Sequence, residues 1–245
     1  MSKHPTDGAE FDAFAPGYNA GMEDPLKRLI GPSADVFLDY KASWLMDFLQ
    51  KQQPAAPSPL DFLDFGCGTG GFLRSLQSMG FNAAFQGCDI SAKMLEEAVR
   101  TWDRSKPIPQ LHHTESGQWP FSPCSFDIVT ACCVYHHIPP PERLETMRAL
   151  WRALKPGGWF VIFEHNPWNP VTRWMVSRCP IDENAILLSA SECTALVKEA
   201  GFAQVSQTFL LFMPPRFRSL WRYERLFGKV PLGGQYAIVA RKAED

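Results

Sequence analysis

Four glycines fall within six positions of the stretch LDFLDFGCGTGGFLRSLQSMG, residues 60 to 80: Gly66, Gly68, Gly70 and Gly71. They follow an apolar run and precede a pattern with helical spacing. At such a junction glycine lets the backbone turn tightly and approach a ligand, while the first N–H groups of the helix face outward. Gly66, Gly68 and Gly71 satisfy G-x-G-x-x-G, a pattern found in nicotinamide and flavin sites and also compatible with a purely structural turn. Two acids bear on the choice. Asp64, two residues ahead of the first glycine, would repel a pyrophosphate and attract a cation. Asp89, in GCDIS at the end of the next apolar run, can accept hydrogen bonds from both hydroxyls of a ribose, although an aspartate there can also simply cap a helix. A cationic group and a ribose together point to S-adenosylmethionine.

A second set of chemical groups lies downstream. His136 and His137 sit in CCVYHHI. Adjacent histidines are expected to point in different directions, and no Cys, Asp or Glu follows at a metal-ligand spacing, so no metal is expected. His136 is a candidate general base; the alternative is that both histidines are structural. Further on, Glu164, His165, Asn166 and Asn169 stand in a stretch stiffened by Pro167 and Pro170. Either Glu164 or His165 could take a proton from a hydroxyl or amine. Arg173 and Arg178 could hold an anion. The alternative is a loop whose side chains cap its own turns. Finally, residues 216–229 mix Arg216, Arg218, Arg222, Arg225 and Lys229 with Phe217, Leu220, Trp221, Tyr223, Leu226 and Phe227. Read as a helix, this segment either packs its aromatics inward or meets a membrane surface, a lipid-linked substrate or a partner.

These residues need elements to position them. The spacing of Val36, Phe37, Tyr40, Trp44, Leu45, Phe48 and Leu49 predicts a helix with Ser33 as N-cap, ended by PAAPSP. From residue 60 the chain alternates: strand LDFLDF, helix closed by Gly80, strand NAAFQGCDI, helix opened by Ser91, short strand IPQLHH, strand SFDIVTACCVY, helix PPERLETMRALWRAL. Then come a KPGG turn with strand WFVIFEH, a capped helix closed by Gly201, and strands AQVSQTFLLFM and QYAIVARK. Such alternation predicts a parallel doubly wound α/β sheet. The hairpin-like relation of the last two strands predicts one antiparallel member.

A chain of 245 residues with 45% hydrophobic residues can bury one sizeable core. A formal net charge of −2 gives no general attraction to nucleic acid. No run reaches the roughly 18 apolar residues of a membrane span. The N-terminus lacks the apolar region of a signal peptide. Seven cysteines, an odd number, suit reduced thiols in a cytoplasmic protein.

The motifs LDFGCGTG, GCDIS, WPFSPCSFDIVTACCVYHHI and RALKPGGWFVIFEH, in this order, resemble those of class I S-adenosylmethionine-dependent methyltransferases of the small-molecule type. The resemblance covers residues 60 to 165 and is consistent to 242. It implies a Rossmann-like seven-stranded sheet, mostly parallel with the last strand antiparallel, with helices on both faces and an N-terminal helical lid. It implies S-adenosyl-L-methionine as cofactor, held by Gly66, Cys67 and Gly68 with Asp64 near the ammonium, Asp89 on the ribose, and Ile90 and Met94 near adenine. TESGQWPF stands where the family has a GDAxxLPF-like run, so Glu115 and the Ser116 N–H fall beside the adenine amino group. Cys132 falls near the ammonium, and Tyr18 in FAPGYN matches a lid. His136, Glu164 and His165 are the catalytic candidates. The expected division is an arm and lid helix over 1–56 and a catalytic domain over 57–245, with 166–188 and 213–234 as acceptor-side insertions. The expected reaction is direct displacement onto a small-molecule or lipid-linked acceptor, oxygen before nitrogen or carbon, with no nucleic-acid partner. The rival readings are an NAD(P)-dependent oxidoreductase and a non-catalytic module that only binds the cofactor.

Overall fold

The computed structural model describes residues 9–16, 35–52, 59–114, 119–213 and 215–244. Seven strands run β1 Leu60–Phe65, β2 Ala83–Asp89, β3 Gln110–His113, β4 Phe126–Cys132, β5 Leu154–His165, β6 Ala203–Leu210 and β7 Gln235–Arg241. They form one sheet in the order β3-β2-β1-β4-β5-β7-β6. β1 is parallel to β2, β2 to β3, and β4 to β5, whereas β7 is antiparallel to both β5 and β6. The single antiparallel member expected from the final strand pair is therefore present. The described residues divide into two compact units, one ending at Pro120 and the other beginning at Phe121.

In the first unit, helices α1 Ala9–Asp12, α2 Asp35–Gln52, α3 Gly71–Ser78 and α4 Ala92–Thr101 accompany β1 to β3. Leu60, Phe62 and Leu63 of β1 are buried, and Phe62 meets Phe81 and Phe85 edge-on at centroid distances of 5.9 and 5.4 Å. α2 packs on α3. That contact explains Gly71: a Cβ there would come within 2.6 Å of Leu38 Cδ1. The third glycine of the motif thus serves helix packing. α4 starts where Ser91 predicts, its side chain accepting the Met94 N–H at 3.1 Å. Gly80 and Gly201 have φ of +80° and +105°, as expected of glycines that close helices. Ser33, the expected cap of α2, lies outside the described residues.

In the second unit, α5 Pro140–Ala153, α6 Pro170–Val176, α7 Ala190–Glu199 and α8 Trp221–Glu224 accompany β4 to β7. β5 and β7 are buried almost throughout, so they read as continuous apolar runs. The expected KPGG turn is part of β5. The pairing with β4 jumps from Phe126–Leu154 to Ile128–Trp159, so Lys155–Gly158 bulge out with Gly157 at φ +73°. α7 opens with a capping box between Ser189 and Glu192.

Residues 216–229 do not form the one helix expected of them. Pro215–Leu220, Trp221–Glu224 and Arg225–Phe227 are three short pieces, with Phe217 at φ −100°, ψ 35° between helical turns. Nor do the apolar side chains all turn inward: Phe217, Leu220, Tyr223, Leu226 and Phe227 are exposed. The segment is anchored by Glu224, buried, which accepts the N–H groups of Leu211 and Met213 at 3.2 and 2.6 Å.

Candidate functional site

The glycine turn of the first unit is built by three left-handed glycines, Gly66 (φ +69°), Gly68 (φ +52°) and Gly70 (φ +75°). Gly66 and Cys67 donate their N–H groups to the Cys88 carbonyl at 2.8 and 3.0 Å, tying the turn to β2. Gly68 donates to Oδ2 of Asp89 at 2.7 Å, and Ser91 donates to Oδ1 at 2.9 Å. The acid and the glycines expected to share a ligand are thus in direct contact. A Cβ at Gly68 would meet nothing within 4 Å among the described residues, which leave the space beside this glycine open. The N-cap of α3, Gly70, offers no side-chain cap to the first helical N–H groups. Asp64 is buried beside this turn, at 2% exposure. Burial raises the Asp89 carboxyl above its ordinary value, opposed by the N–H groups of Ser91 and Gly68.

Two of the expected cofactor contacts have buried side chains. Cys67 is buried, and a Cβ on Gly87 would stand 2.8 Å from its sulfur, so the thiol fills the space that glycine leaves on β2. Burial raises that thiol well above the usual range. Met94 is buried with Leu95 and Ala98 on the inner stripe of α4. Ile90 is half-buried just past β2, and its carbonyl faces His113 Nε2 at 3.0 Å. Tyr18, Glu115 and Ser116 lie outside the described residues.

The second unit gathers a polar cluster past the ends of β4 and β5, where Cys132, at the end of β4, is half-buried. His136 Nδ1 lies 2.6 Å from Oε2 of Glu164, with both side chains essentially without solvent exposure. Glu164 also accepts the N–H of Tyr135 at 2.7 Å and that of His165 at 3.2 Å. On the other side of the ring, His136 Nε2 lies 3.4 Å from Oδ1 of Asp182, and His137 Nε2 lies 3.4 Å from the same oxygen. The two histidines therefore converge on one carboxylate 46 positions from His136. The expectation that they diverge without an acidic partner is overturned, because a sharp turn, with Cys133 at φ +58°, brings their ring centroids within 4.1 Å at a tilt of 48°. Asp182 ends a short 3-10 turn, Pro180–Asp182. That segment is pinned to the histidines by Ile186, whose N–H reaches the His136 carbonyl at 2.8 Å.

Electrostatics follow from this packing. Burial opposes charge on His136, but Glu164 and Asp182 outweigh it and hold its pKa up, while both carboxylates are held down by the histidine. His137 is pushed down to about 4, by burial first and then by the charge of His136. A fully enclosed Glu164 with both oxygens occupied is not placed to take a proton from an acceptor; it orients His136. His165 is less enclosed: its ring lies 5.1 Å from that of His136, and its Nδ1 is 3.4 Å from the Gln235 amide.

Other polar residues of the loop are latches. Asn166, fully buried, donates to the carbonyls of Pro231 and Gly233 at 3.1 and 2.8 Å. Asn169 caps α6 through Thr172 N–H at 3.0 Å and donates to the Leu232 carbonyl at 2.7 Å. Arg178 lies over the Trp174 ring at 4.7 Å. Asp182 and Gln235 were not among the sequence candidates; both are brought in by strand and loop packing that no local spacing encodes.

Strand order and the direction of β7 define the Rossmann-like fold of class I methyltransferases. The family model described as a methyltransferase domain matches residues 62–158 of this chain. Solved structures agree on the fold. A methyltransferase of Thermotoga maritima superposes with a TM-score of 0.62 at 19% identity, covering 96% of this chain and 99% of that one. A Haemonchus contortus phosphoethanolamine N-methyltransferase, solved in complex with S-adenosyl-L-methionine, gives 0.59 at 18% identity over 92% of this chain and 60% of that one. Among curated relatives, the demethylmenaquinone methyltransferase of Staphylococcus saprophyticus is 36% identical over 111 residues, 44% of this chain and 46% of that protein. The malonyl-[acyl-carrier protein] O-methyltransferase of Brevibacillus brevis is 26% identical over 156 residues, 58% of this chain and 54% of that protein. The chain thus spans about half the length of these relatives. Among the described residues, no helix is long and apolar enough to cross a membrane.

Proposed function

We propose that this protein is an S-adenosylmethionine-dependent methyltransferase that moves a methyl group to a small-molecule or lipid-linked acceptor by in-line displacement. Oxygen is the preferred target atom, ahead of nitrogen and carbon. The observation that carries the reading is the Gly68–Asp89 contact at 2.7 Å beside open space. A backbone free of side chains and a carboxylate at the end of β2 suit a nucleoside ligand, and the buried Asp64 suits a cation at its other end. When bound, the cofactor supplies a methyl group already activated on a sulfonium. Gly66 and Gly68 would lie against the methionine part, Asp89 would take the ribose hydroxyls, and Ile90 would flank adenine.

Because the methyl group is already activated, the chain's task is alignment and removal of one proton. His165 is the proposed proton acceptor. Glu164 holds the His136 ring and, through the His165 N–H, the backbone beside it; both are positioning residues. Relatives named for quinone methylation support a cyclic acceptor bearing a hydroxyl or an activated carbon. The exposed apolar residues of 216–229 support a lipid-linked acceptor or a membrane surface as their neighbour. The test is transfer of a radiolabelled methyl group from S-adenosylmethionine to a panel of short-tailed quinols, catechols and acyl-carrier thioesters. Turnover of any member lost in His165→Gln supports the reading. Transfer that persists in that variant removes His165 from the role of base.

A further inference from the structure

We propose that His136, His137 and Asp182 form a binding site for a divalent transition-metal cation, with Zn2+ as the best match. The site stands on geometry alone: His136 Nε2 and His137 Nε2 each lie 3.4 Å from Oδ1 of Asp182, and the three donor atoms fall within 4.8 Å of one another. Donors about 2.1 Å from a tetrahedral centre stand about 3.4 Å apart, which is the separation of the two measured edges. Both edges are longer than the 2.7–3.2 Å usual for an N–H donating to a carboxylate, so each atom pair leaves room for a cation between its members.

The surroundings supply what a metal site requires beyond its ligands. Glu164 sits 2.6 Å from Nδ1 of His136, which leaves Nε2 as the atom aimed at Asp182; a carboxylate behind a ligating imidazole fixes its tautomer and orientation. The backbone bond from Ile186 N–H to the His136 carbonyl fixes the Asp182 segment against the histidine turn. Arg143 adds a second tie, donating to the carbonyls of Ile138 and Ile186 at 2.9 and 2.5 Å. Two imidazoles and one carboxylate are the three-protein-ligand arrangement of zinc sites that keep a fourth position for water or substrate. Such a cation would bind the acceptor heteroatom and lower its pKa, a role that rests on the methyltransfer reading, whereas the cation site itself does not.

Calorimetric titration of the chelator-stripped full chain with Zn2+, and visible spectroscopy of the Co2+ form, test this directly. The expected result is one Zn2+ per chain at sub-micromolar Kd and tetrahedral Co2+ bands without a thiolate charge-transfer band. Asp182→Asn and His137→Gln should each weaken Zn2+ by 100-fold or more while keeping the circular dichroism spectrum, and Cys124→Ser, at an exposed thiol, should change nothing. Absence of stoichiometric binding, or Zn2+ affinity indifferent to both variants, overturns the proposal. S-adenosylhomocysteine titrated into the same samples separates the two claims. Retained nucleoside binding with no metal sinks the metal site only; metal without nucleoside binding sinks the methyltransferase reading only.

Discussion

Gly68 and Asp89, 21 residues apart in sequence, are joined by a 2.7 Å hydrogen bond from the glycine N–H to Oδ2 of the acid. The turn and the proposed ribose acceptor are therefore one unit, and damage to either is expected to reach the ligand through the other. Gly68→Ala places a Cβ in open space at φ +52°, so only backbone strain of about 1–2 kcal/mol opposes folding. The variant should fold, with Tm lowered by a few degrees. Its affinity for S-adenosylhomocysteine should drop by more than the tenfold that such strain equals. Equal losses in the two measurements would mean that no ligand uses that space.

Acid should act on Asp89 in two opposite ways. Its carboxyl is raised by burial, so the folded state binds the proton more readily than the unfolded chain. Its contribution to stability is thus full below the unfolded value near 3.9 and is lost as pH rises through the folded value. Protonation also removes an acceptor, so cofactor affinity should fall on acidification, starting above the usual aspartate range. Isothermal titration across pH 4–7 should show this weakening in the parent and a flatter profile in Asp89→Asn.

Glu164 and His136 are buried together at 2.6 Å. Removing one charge from such a pair costs about 3–5 kcal/mol. Glu164→Gln should lower denaturant stability by that order and reduce kcat, with cofactor Kd within about twofold. A variant with unchanged stability would mean that the pair is solvated and the cluster looser than described.

Ser189→Ala removes the hydroxyl that accepts the Glu192 N–H in the capping box of α7. A loss of about 0.5–2 kcal/mol is expected in urea unfolding, without effect on methyl transfer. It serves as the stability control for the site variants.

Strands β1, β4, β5 and β7 were legible because each is a largely buried, mostly apolar run bounded by glycine, proline or polar punctuation, and Ser91, Gly80 and Gly201 marked helix ends at their places. Residues 216–229 misled because aromatic and arginine residues alternate there without a continuous apolar stripe. Phe217 leaves helical geometry, and the anchor is one buried acid, Glu224. The glycine turn is local in sequence and could be read. The cluster of His136, His137 and Asp182 could not, because Asp182 is held beside the histidines by a bond from Ile186 that no spacing records. Asn166 and Asn169 carried the same polar signature as a site, yet their amides bind carbonyls of residues 231–233.

The central claim is that the glycine turn holds S-adenosylmethionine, and calorimetric titration of the purified chain with S-adenosylmethionine and, separately, with NAD tests it most directly. Micromolar binding of the sulfonium compound, weakened at least tenfold in Asp89→Asn and absent for NAD, is the predicted result. Binding of NAD in its place would contradict the account and make the turn at Gly66 to Gly71 a pyrophosphate site.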